Sequence, residues 1–282
     1  MMVQNALPGE AYFVSTMAEH NDLCGQFVRA FGNETFEPVS PRDEMIYVVS
    51  HHDHGWNEWD AAPSLDPKSR LPAGLAQTPP EVTIESNTKS PEINERHHPY
   101  CGLLASMHSW GLFNARYGLS EFRVRPGGST SIPIPKGREA EAHAFLDGER
   151  ERQERLREAL AADPETSALV EEGHLFKCYK QLQFFDTLAL YFNIRHESER
   201  GVEVFTHVPM SETEDAEVTV TPVGNGTYTV SPFPFAGDRL EVRSAGRYVE
   251  PLPEGTEPSR DELGRMLGAL PTTAQVFTLV RG

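Results

Sequence analysis

The run Ser50-His51-His52-Asp53-His54-Gly55-Trp56 constrains the fold more than any other stretch of this chain. It follows an apolar segment that is typical of a helix, with Ser40 as N-cap and Pro41 in the first turn. Five side chains recur at helical spacing and would share one face: Met45, Val48, Val49, His52 and Trp56. His52 is therefore expected to point into the core, with Gly55 ending the helix. Because a buried histidine beside an aspartate needs charged partners, the run indicates a bound metal.

Composition limits the classes of partner. At 282 residues and 38% hydrophobic content, the chain suits one large domain or a domain with a smaller appendage. The formal net charge is -17, and the sequence has no basic footprint of the kind that binds nucleic acid or anionic lipid. We therefore predict neither nucleic acid nor membrane as partner. We find no membrane-length apolar run and no secretory signal. Three scattered cysteines, Cys24, Cys101 and Cys178, indicate inert core thiols. We expect a cytoplasmic, acidic protein that acts on a small molecule.

The periodicity of apolar residues changes near residue 200. Before it, we predict a strand over 11–17 and helices over about 19–31, 40–55, 99–117, 137–162 and 163–191. Long connections are expected at 57–92 and 122–136. After it, apolar residues alternate, Asn225-Gly226 predicts a hairpin, and Ser259 with Glu262 predicts a capping box. We therefore divide the chain into a helical metal-binding domain, residues 1–200, and a β-rich element, residues 201–282.

Polar side chains on four of the predicted helices are expected to face the core: His20, His52, Asp53, His108 and Asp186. Asp186 is embedded in the apolar stretch 181–188, where an unpaired carboxylate would be costly. Each buried histidine taken alone is more often a hydrogen-bonded core residue than a ligand. Taken together, the set favours a shared metal. His98, at the entrance of the 99–117 helix, is a further candidate ligand.

The order His20, His52-Asp53, Asp186 on successive helices resembles the HD-domain superfamily of metal-dependent phosphohydrolases. This resemblance implies one divalent metal, bound by these four residues at the centre of a helical bundle. Some members of that superfamily hold a second metal on two further histidines, and His98 and His108 are the candidates here. We therefore expect a mainly α fold, an HD-like helical bundle, with the smaller C-terminal β-rich element packed on it.

A second resemblance covers most of the chain and is to an uncharacterised prokaryotic family with a His-Asp-x-Gly-Trp motif. The segments that carry it are Met17-Ala18-Glu19-His20, Leu23-Cys24-Gly25-Gln26-Phe27, His52-Asp53-His54-Gly55-Trp56, Pro99-Tyr100, Ser106-Met107-His108, Leu182-Gln183-Phe184-Phe185-Asp186-Thr187-Leu188 and Pro232-Phe233-Pro234-Phe235. It implies membership of a family without implying an activity.

Imidazole and carboxylate ligands favour a divalent transition metal (Mn, Fe, Co, Ni or Zn), with one ion expected and two allowed. Such an ion activates water, so we predict a metal-dependent hydrolase acting on a phosphate ester or a nucleotide-like metabolite. Asp53 would orient the water, and His108 would contact the substrate or a second ion, so both are predicted to be catalytic. The alternatives are a di-iron HD-type oxygenase and a non-catalytic metal- or ligand-binding domain. The oligomeric state is left open.

Overall fold

A curled, mixed sheet of seven strands is a major layer of this protein, in a computed structural model that describes residues 1–123 and 129–282. The strands are β1 (Met2–Val3), β2 (Tyr12–Ser15), β3 (Glu203–Pro209), β4 (Asp215–Gly224), β5 (Thr227–Ser231), β6 (Arg239–Val249) and β7 (Thr273–Arg281). Their order across the sheet is β1-β2-β6-β7-β5-β4-β3. β5 and β7 pair in parallel, while the other neighbours pair antiparallel. The sheet therefore joins the two ends of the chain.

This sheet makes the predicted fold class wrong. The protein is 47% helical and 19% strand, and the sheet is too large to be an appendage of a mainly α, HD-like helical bundle. The N-terminal segment extends the sheet, since Phe13 pairs with Tyr248 and Val14 with Arg247. The strand predicted over 11–17 is confirmed by β2, but β1 is too short to show a two-residue period, and no local pattern showed that both strands join the C-terminal ones. The division at residue 200 stays a prediction, and the sheet takes strands from both sides of it.

Two local predictions in the C-terminal part are confirmed. Asn225 and Gly226 form the two-residue turn between β4 and β5, and both have left-handed backbone, with φ of 52° and 68°. This combination is the one that a type I′ hairpin turn requires. Ser259 caps the next helix by accepting from the Glu262 backbone N–H, and the Glu262 side chain bonds back to the Ser259 N–H.

The α-helices within the described residues are α1 (Met17–Ala30), α2 (Arg42–Val49), α3 (Asn57–Ala61), α4 (Pro80–His97), α5 (Pro99–Phe113), α6 (Glu139–Ala162), α7 (Glu172–Ile194) and α8 (Arg260–Ala269). A capping box of Thr16 and Glu19 begins α1, two residues before the predicted start. The predicted connection at 122–136 includes residues 124–128, which lie outside the described ranges. No helix of the described residues is long and apolar enough to cross a membrane.

The predicted connection at 57–92 is wrong over much of its length, because α3 and the first part of α4 lie there. α4 has little apolar periodicity, and its buried face is made instead of small polar residues such as Asn87, Ser90 and Asn94. Their side chains donate to carbonyls one turn earlier, at 2.8, 3.0 and 2.9 Å. Because these donors bond within the helix, the polar face packs inward without an apolar stripe.

The helix that precedes the His-Asp pair is shorter than predicted. α2 ends at Val49, its N-cap is Pro41 rather than Ser40, and a short 3-10 helix covers His54–Trp56. His52 and Asp53 therefore lie in a turn. Gly55 does not end α2; it lets this turn approach α4, since a Cβ there would lie 2.1 Å from the carbonyl oxygen of Ser86.

α7 is the central helix of the core. It begins at Glu172 rather than at the predicted signal Asp163-Pro164-Glu165, where the Asp163 carboxylate instead caps a turn by accepting from the Glu165 N–H at 2.9 Å. Phe192 of α7 stacks on Phe277 of β7 with ring centroids 4.4 Å apart, which fixes the helix on the sheet. Asp186, near the middle of α7, is thereby held between the sheet and the other helices.

Candidate metal centre

Four segments bring five of the predicted site residues together inside the protein. His20 comes from α1, His52 and Asp53 from the turn after α2, His108 from α5 and Asp186 from α7. The histidines are at most 1% exposed and the carboxylates at most 5%. His20 Nε2 lies 3.2 Å from Asp186 Oδ1, while His52 Nε2 lies 3.4 Å from Asp53 Oδ2 and 3.8 Å from Asp186 Oδ1. We call His20, His52, Asp53 and Asp186 the ligand cluster.

Two of the three spacings in the ligand cluster, 3.2 and 3.4 Å, suit a common ion, and the third, from His52 to Asp186, is longer at 3.8 Å. Nitrogen and oxygen ligands about 2.1 Å from one divalent metal, at bond angles of about 90 to 109°, lie about 3.0 to 3.4 Å apart. Across residues 1–123 and 129–282, His52 Nε2 and Asp186 Oδ2 are buried without a hydrogen-bond partner. Other buried polar atoms of the described residues also lack a partner, such as Tyr100 Oη and Gln181 Oε1, so what distinguishes these two is their place among two imidazoles and two carboxylates.

The rings of His20 and His52 are oriented for coordination by bonds on their far side. His20 Nδ1 lies 2.9 Å from Asn193 Oδ1, and His52 Nδ1 lies 2.9 Å from the carbonyl oxygen of Val49. Because each partner atom is an acceptor, each Nδ1 carries a proton, and Nε2 is the ring atom that faces the cluster and would bind a metal on losing its own proton. An outer partner of this kind fixes the tautomer and orientation of a metal-binding histidine.

The two carboxylates of the cluster are buried, and nearby imidazoles affect their pKa values. Burial raises the pKa of Asp53. Burial also acts to raise the pKa of Asp186, but the imidazoles of His20, at 3.2 Å, and His52, at 3.8 Å, outweigh it and hold that pKa well below its usual range. For His52, burial acts to lower the pKa, and the carboxylates of Asp53 and Asp186 raise it to about 9. A divalent cation would supply the positive charge that both carboxylates draw from these imidazoles.

Not every predicted ligand joins the cluster. His98 is the N-cap of α5, and its Nδ1 accepts from the Tyr100 backbone N–H at 3.1 Å. His51 donates from Nδ1 to the carbonyl oxygen of Tyr47 at 2.7 Å and stacks on the Tyr47 ring. His108 lies closer, with its Nε2 3.9 Å from Asp53 Oδ1. The structure thus places His108 at the margin of the cluster and His98 outside it.

Three residues around the cluster were missed by the sequence analysis. Cys24 Sγ lies 3.6 Å from His20 Nε2, and burial raises the pKa of this thiol well above its usual range. Its position one helical turn after His20 was a signal for this contact. Gln183 and Asn193 share the inner face of α7 with Asp186, and spacings of three and seven residues would have indicated it.

Arg116 was also missed, and spacing could not have revealed it. It lies in a turn after α5 (Ala115–Gly118) in which all four residues have positive φ, and it is 4% exposed. Its Nη2 lies 3.6 Å from Asp186 Oδ2. This unusual turn brings a permanent positive charge to the edge of the ligand cluster.

A cavity of about 540 Å³ opens onto the cluster. Asp53, His108, Arg116 and Asp186 line its polar end, and the rest of its wall is largely apolar, with side chains such as Trp56, Ile84, Leu112 and Phe113. A cavity of about 710 Å³ lies near β1, and no residue of the ligand cluster lines it among the described residues. The cavity that reaches the cluster is therefore the candidate substrate site.

Fold and site define an α/β protein with a buried His/Asp cluster at the end of an apolar cavity. Residues 1–251 match the family model described as "Protein of unknown function (DUF3891)", and the chain belongs to that family. No curated protein and no solved structure matches the chain. The resemblance to the HD-domain superfamily is wrong, because the family found is a different one and the helices are arranged with a large curled sheet. The order of the ligand types along the chain suggested a bundle that the fold does not form.

Proposed function

We propose that this protein is a metal-dependent hydrolase of a phosphate ester, with His20, His52, Asp53 and Asp186 holding one divalent transition metal. The observation that carries the proposal is the ligand cluster itself, in which two imidazoles and two carboxylates are buried together with spacings of 3.2 to 3.8 Å. Mn, Fe, Co, Ni and Zn are the ions that suit this mixture of nitrogen and oxygen ligands.

When bound, such a metal supplies a Lewis acid that activates water near neutral pH and offsets charge on the attacked group. Asp53 lines the cavity, so its carboxylate is placed to accept a hydrogen bond from the attacking water and to orient it. The water oxygen forms a bond to phosphorus and the ester P–O bond breaks. The oxygen of the leaving alcohol takes up the proton that the water gives up. Arg116 and His108, which line the same end of the cavity, would stabilise the phosphoryl oxygens.

The largely apolar wall of the cavity supports a small-molecule substrate that is mostly buried when bound. The strongly negative net charge of -17 argues against nucleic acid as that substrate. A di-iron oxygenase would need further ligands near the cluster. Ligand atoms of His52, Asp53 and His108 lie within 4.8 Å of one another, but His98 lies at the N-cap of α5, outside the cluster, so one of the two histidines expected to hold a second ion is not there.

Metal analysis of the protein purified without chelator tests the proposal. We expect one transition-metal ion per chain, lost in His52→Ala and Asp186→Asn and retained in His98→Ala, which removes a histidine outside the cluster. The metal-loaded protein should hydrolyse phosphomonoesters, and both cluster variants should be inactive. A correctly folded wild-type protein without metal, or an active Asp186→Asn variant, would refute the proposal.

A further inference from the structure

The three histidines around the cluster all turn Nε2 toward it, but the hydrogen bonds that they make at Nδ1 differ. His20 and His52 each donate from Nδ1 to an oxygen. His108 Nδ1 instead lies 2.9 Å from the side-chain nitrogen of Gln183, Nε2, which can only donate. His108 Nδ1 must therefore be an acceptor, and the ring proton sits on Nε2.

The orientation of the Gln183 amide, on which this assignment depends, is set by Arg116. Arg116 Nε donates to Gln183 Oε1 at 3.0 Å, and Arg116 Nη1 donates to the carbonyl oxygen of Thr130 at 3.3 Å. A guanidinium has no acceptor, so turning the Gln183 amide around would set two donors against each other. The chain Arg116–Gln183–His108 thus has one consistent arrangement of hydrogen atoms.

We propose that His108 is not a metal ligand, and that its Nε2–H and the guanidinium of Arg116 form an anion-binding pair at the polar end of the cavity. The nearest carboxylate oxygen of Asp53 is 3.9 Å from His108 Nε2, beyond hydrogen-bond reach, so this N–H is available to a ligand. The site then holds a single metal ion. Gln183 is a positioning residue, which acts through His108 and does not touch the substrate.

The pair also narrows the class of substrate, and this step rests on the proposed function. Among the cavity-lining residues that the structure describes, Arg116 is the one with a permanent positive charge, and Asp186 Oδ2 lies 3.6 Å from it. With the proposed divalent metal bound, the carboxylates of Asp53 and Asp186 still offset two of the three positive charges of metal and guanidinium, and the remainder does not balance the charges of a triphosphate. The apolar wall instead suits an apolar group. The substrate class is therefore a phosphate monoester of an apolar alcohol rather than a nucleoside triphosphate.

Nitrogen-15 NMR of labelled histidines, on metal-free protein and on protein loaded with Zn²⁺, tests the tautomer directly. We expect His108 to carry its proton on Nε2 in both states. In Gln183→Glu, the new carboxylate accepts from His108 Nδ1, so the proton moves and Nε2 gains a lone pair. That variant should bind two ions per chain, and one again when His108→Ala is added.

Gln153→Glu is the matched control, because Gln153 accepts from the Tyr117 hydroxyl and does not contact His108. It should keep one ion and the wild-type tautomer. If Gln183→Glu does not fold, Gln183→Leu, which is of similar size and removes both hydrogen bonds, should give a mixture of His108 tautomers. A proton on His108 Nδ1 in the wild-type protein, or one ion in a folded Gln183→Glu with His108 present, would overturn the inference.

Binding of octylphosphonate, inorganic phosphate and ATP to the Zn²⁺-loaded protein, measured by calorimetry, tests the substrate class. Octylphosphonate should bind at least tenfold more tightly than the other two, and Arg116→Gln should weaken it at least tenfold. Tighter binding of ATP would refute this class. Absence of metal with the expected His108 tautomer would refute the proposed function, whereas a bound metal with His108 protonated on Nδ1 would refute only the anion-binding pair.

Discussion

At the scale of single residues, close contacts decide which side chains the site tolerates. Gly55 shows this most clearly, since a Cβ at this position would lie 2.1 Å from the carbonyl oxygen of Ser86 and 2.7 Å from the backbone nitrogen of Ser90. Both are backbone atoms of α4, which cannot rotate away. The glycine therefore sets how closely the turn with His52 and Asp53 approaches α4.

Gly55→Ala should lower the free energy of unfolding by about 1–3 kcal/mol, the usual cost of forcing extra volume into a packed core. Gly148→Ala is the control, since nothing lies within 4 Å of a Cβ at that position of α6. Alanine is favoured over glycine inside helices, so the control should be neutral or stabilising. Urea unfolding of both variants measures the difference, and equal stabilities would contradict the close contact.

Asn193 tests the outer partners of the metal ligands. Its Oδ1 accepts from His20 Nδ1 at 2.9 Å, and its Nδ2 donates to Ser244 Oγ at 2.7 Å. In Asn193→Ala, His20 loses the bond that orients its ring, so metal affinity should fall about 10- to 100-fold while the number of bound ions stays at one. Competition with a chelator of known affinity provides the measurement.

Gln26→Ala controls for a general effect on α1, because Gln26 lies on the same helix but bonds to Asp22 and to the backbone of Arg243. Its metal affinity should equal that of the wild-type protein. An Asn193→Ala variant that binds metal as tightly as wild type would show that His20 does not depend on this bond.

At the scale of secondary-structure elements, the start of α1 links helix stability to the site. Thr16 and Glu19 form a capping box, and His20 follows in the same turn of the helix. α8 begins with an equivalent capping box of Ser259 and Glu262, but it contributes no residue to the ligand cluster. The two helices therefore offer the same local interaction with and without a ligand beside it.

Thr16→Ala and Ser259→Ala should each lower the free energy of unfolding by about 1 kcal/mol, since each removes an N-cap. Only Thr16→Ala should also weaken metal binding, because fraying of the first turn of α1 displaces His20. Thermal unfolding and metal titration of both variants measure these effects. Equal metal affinities in the two variants would argue that His20 is held by tertiary contacts alone.

Comparison of the predicted and observed elements shows which of them local sequence patterns can predict. The Asn225-Gly226 turn and the Ser259 capping box were predictable, because their signals act within a few residues. α4 was missed because its buried face is polar, and its amide and hydroxyl donors bond to backbone carbonyls of the same helix. β1 was missed, and β2 was predicted as a strand but not as part of the large sheet, because β1 pairs with β2 and β2 pairs with the distant β6.

At the scale of the whole molecule, a metal that binds only the folded state stabilises it by mass action. The ligands come from α1, the turn after α2 and α7, so the cluster exists only when these distant segments are folded together. At a free metal concentration of about 100 times the Kd, the gain is about 2.7 kcal/mol. For a domain of this size, that corresponds to about 5 °C or more in Tm.

Calorimetric scans with and without chelator should therefore differ by about this amount for the wild-type protein. Asp186→Asn is the control, because it removes a ligand and its Tm should not respond to the metal. A wild-type Tm that is the same in chelator and in excess metal would contradict a metal shared between these segments.

Sequence alone determined which residue types stand in an apolar context, and so identified His20, His52, Asp53, His108 and Asp186 as a candidate set. It also determined local turns and caps, because hydrogen bonds between near neighbours depend on few residues. Tertiary structure decided the fold class, the separation of His98 from the cluster, and the approach of Arg116 to Asp186. These depend on sheet pairing and on a positive-φ turn that join segments far apart in the chain, and no local pattern encodes such contacts.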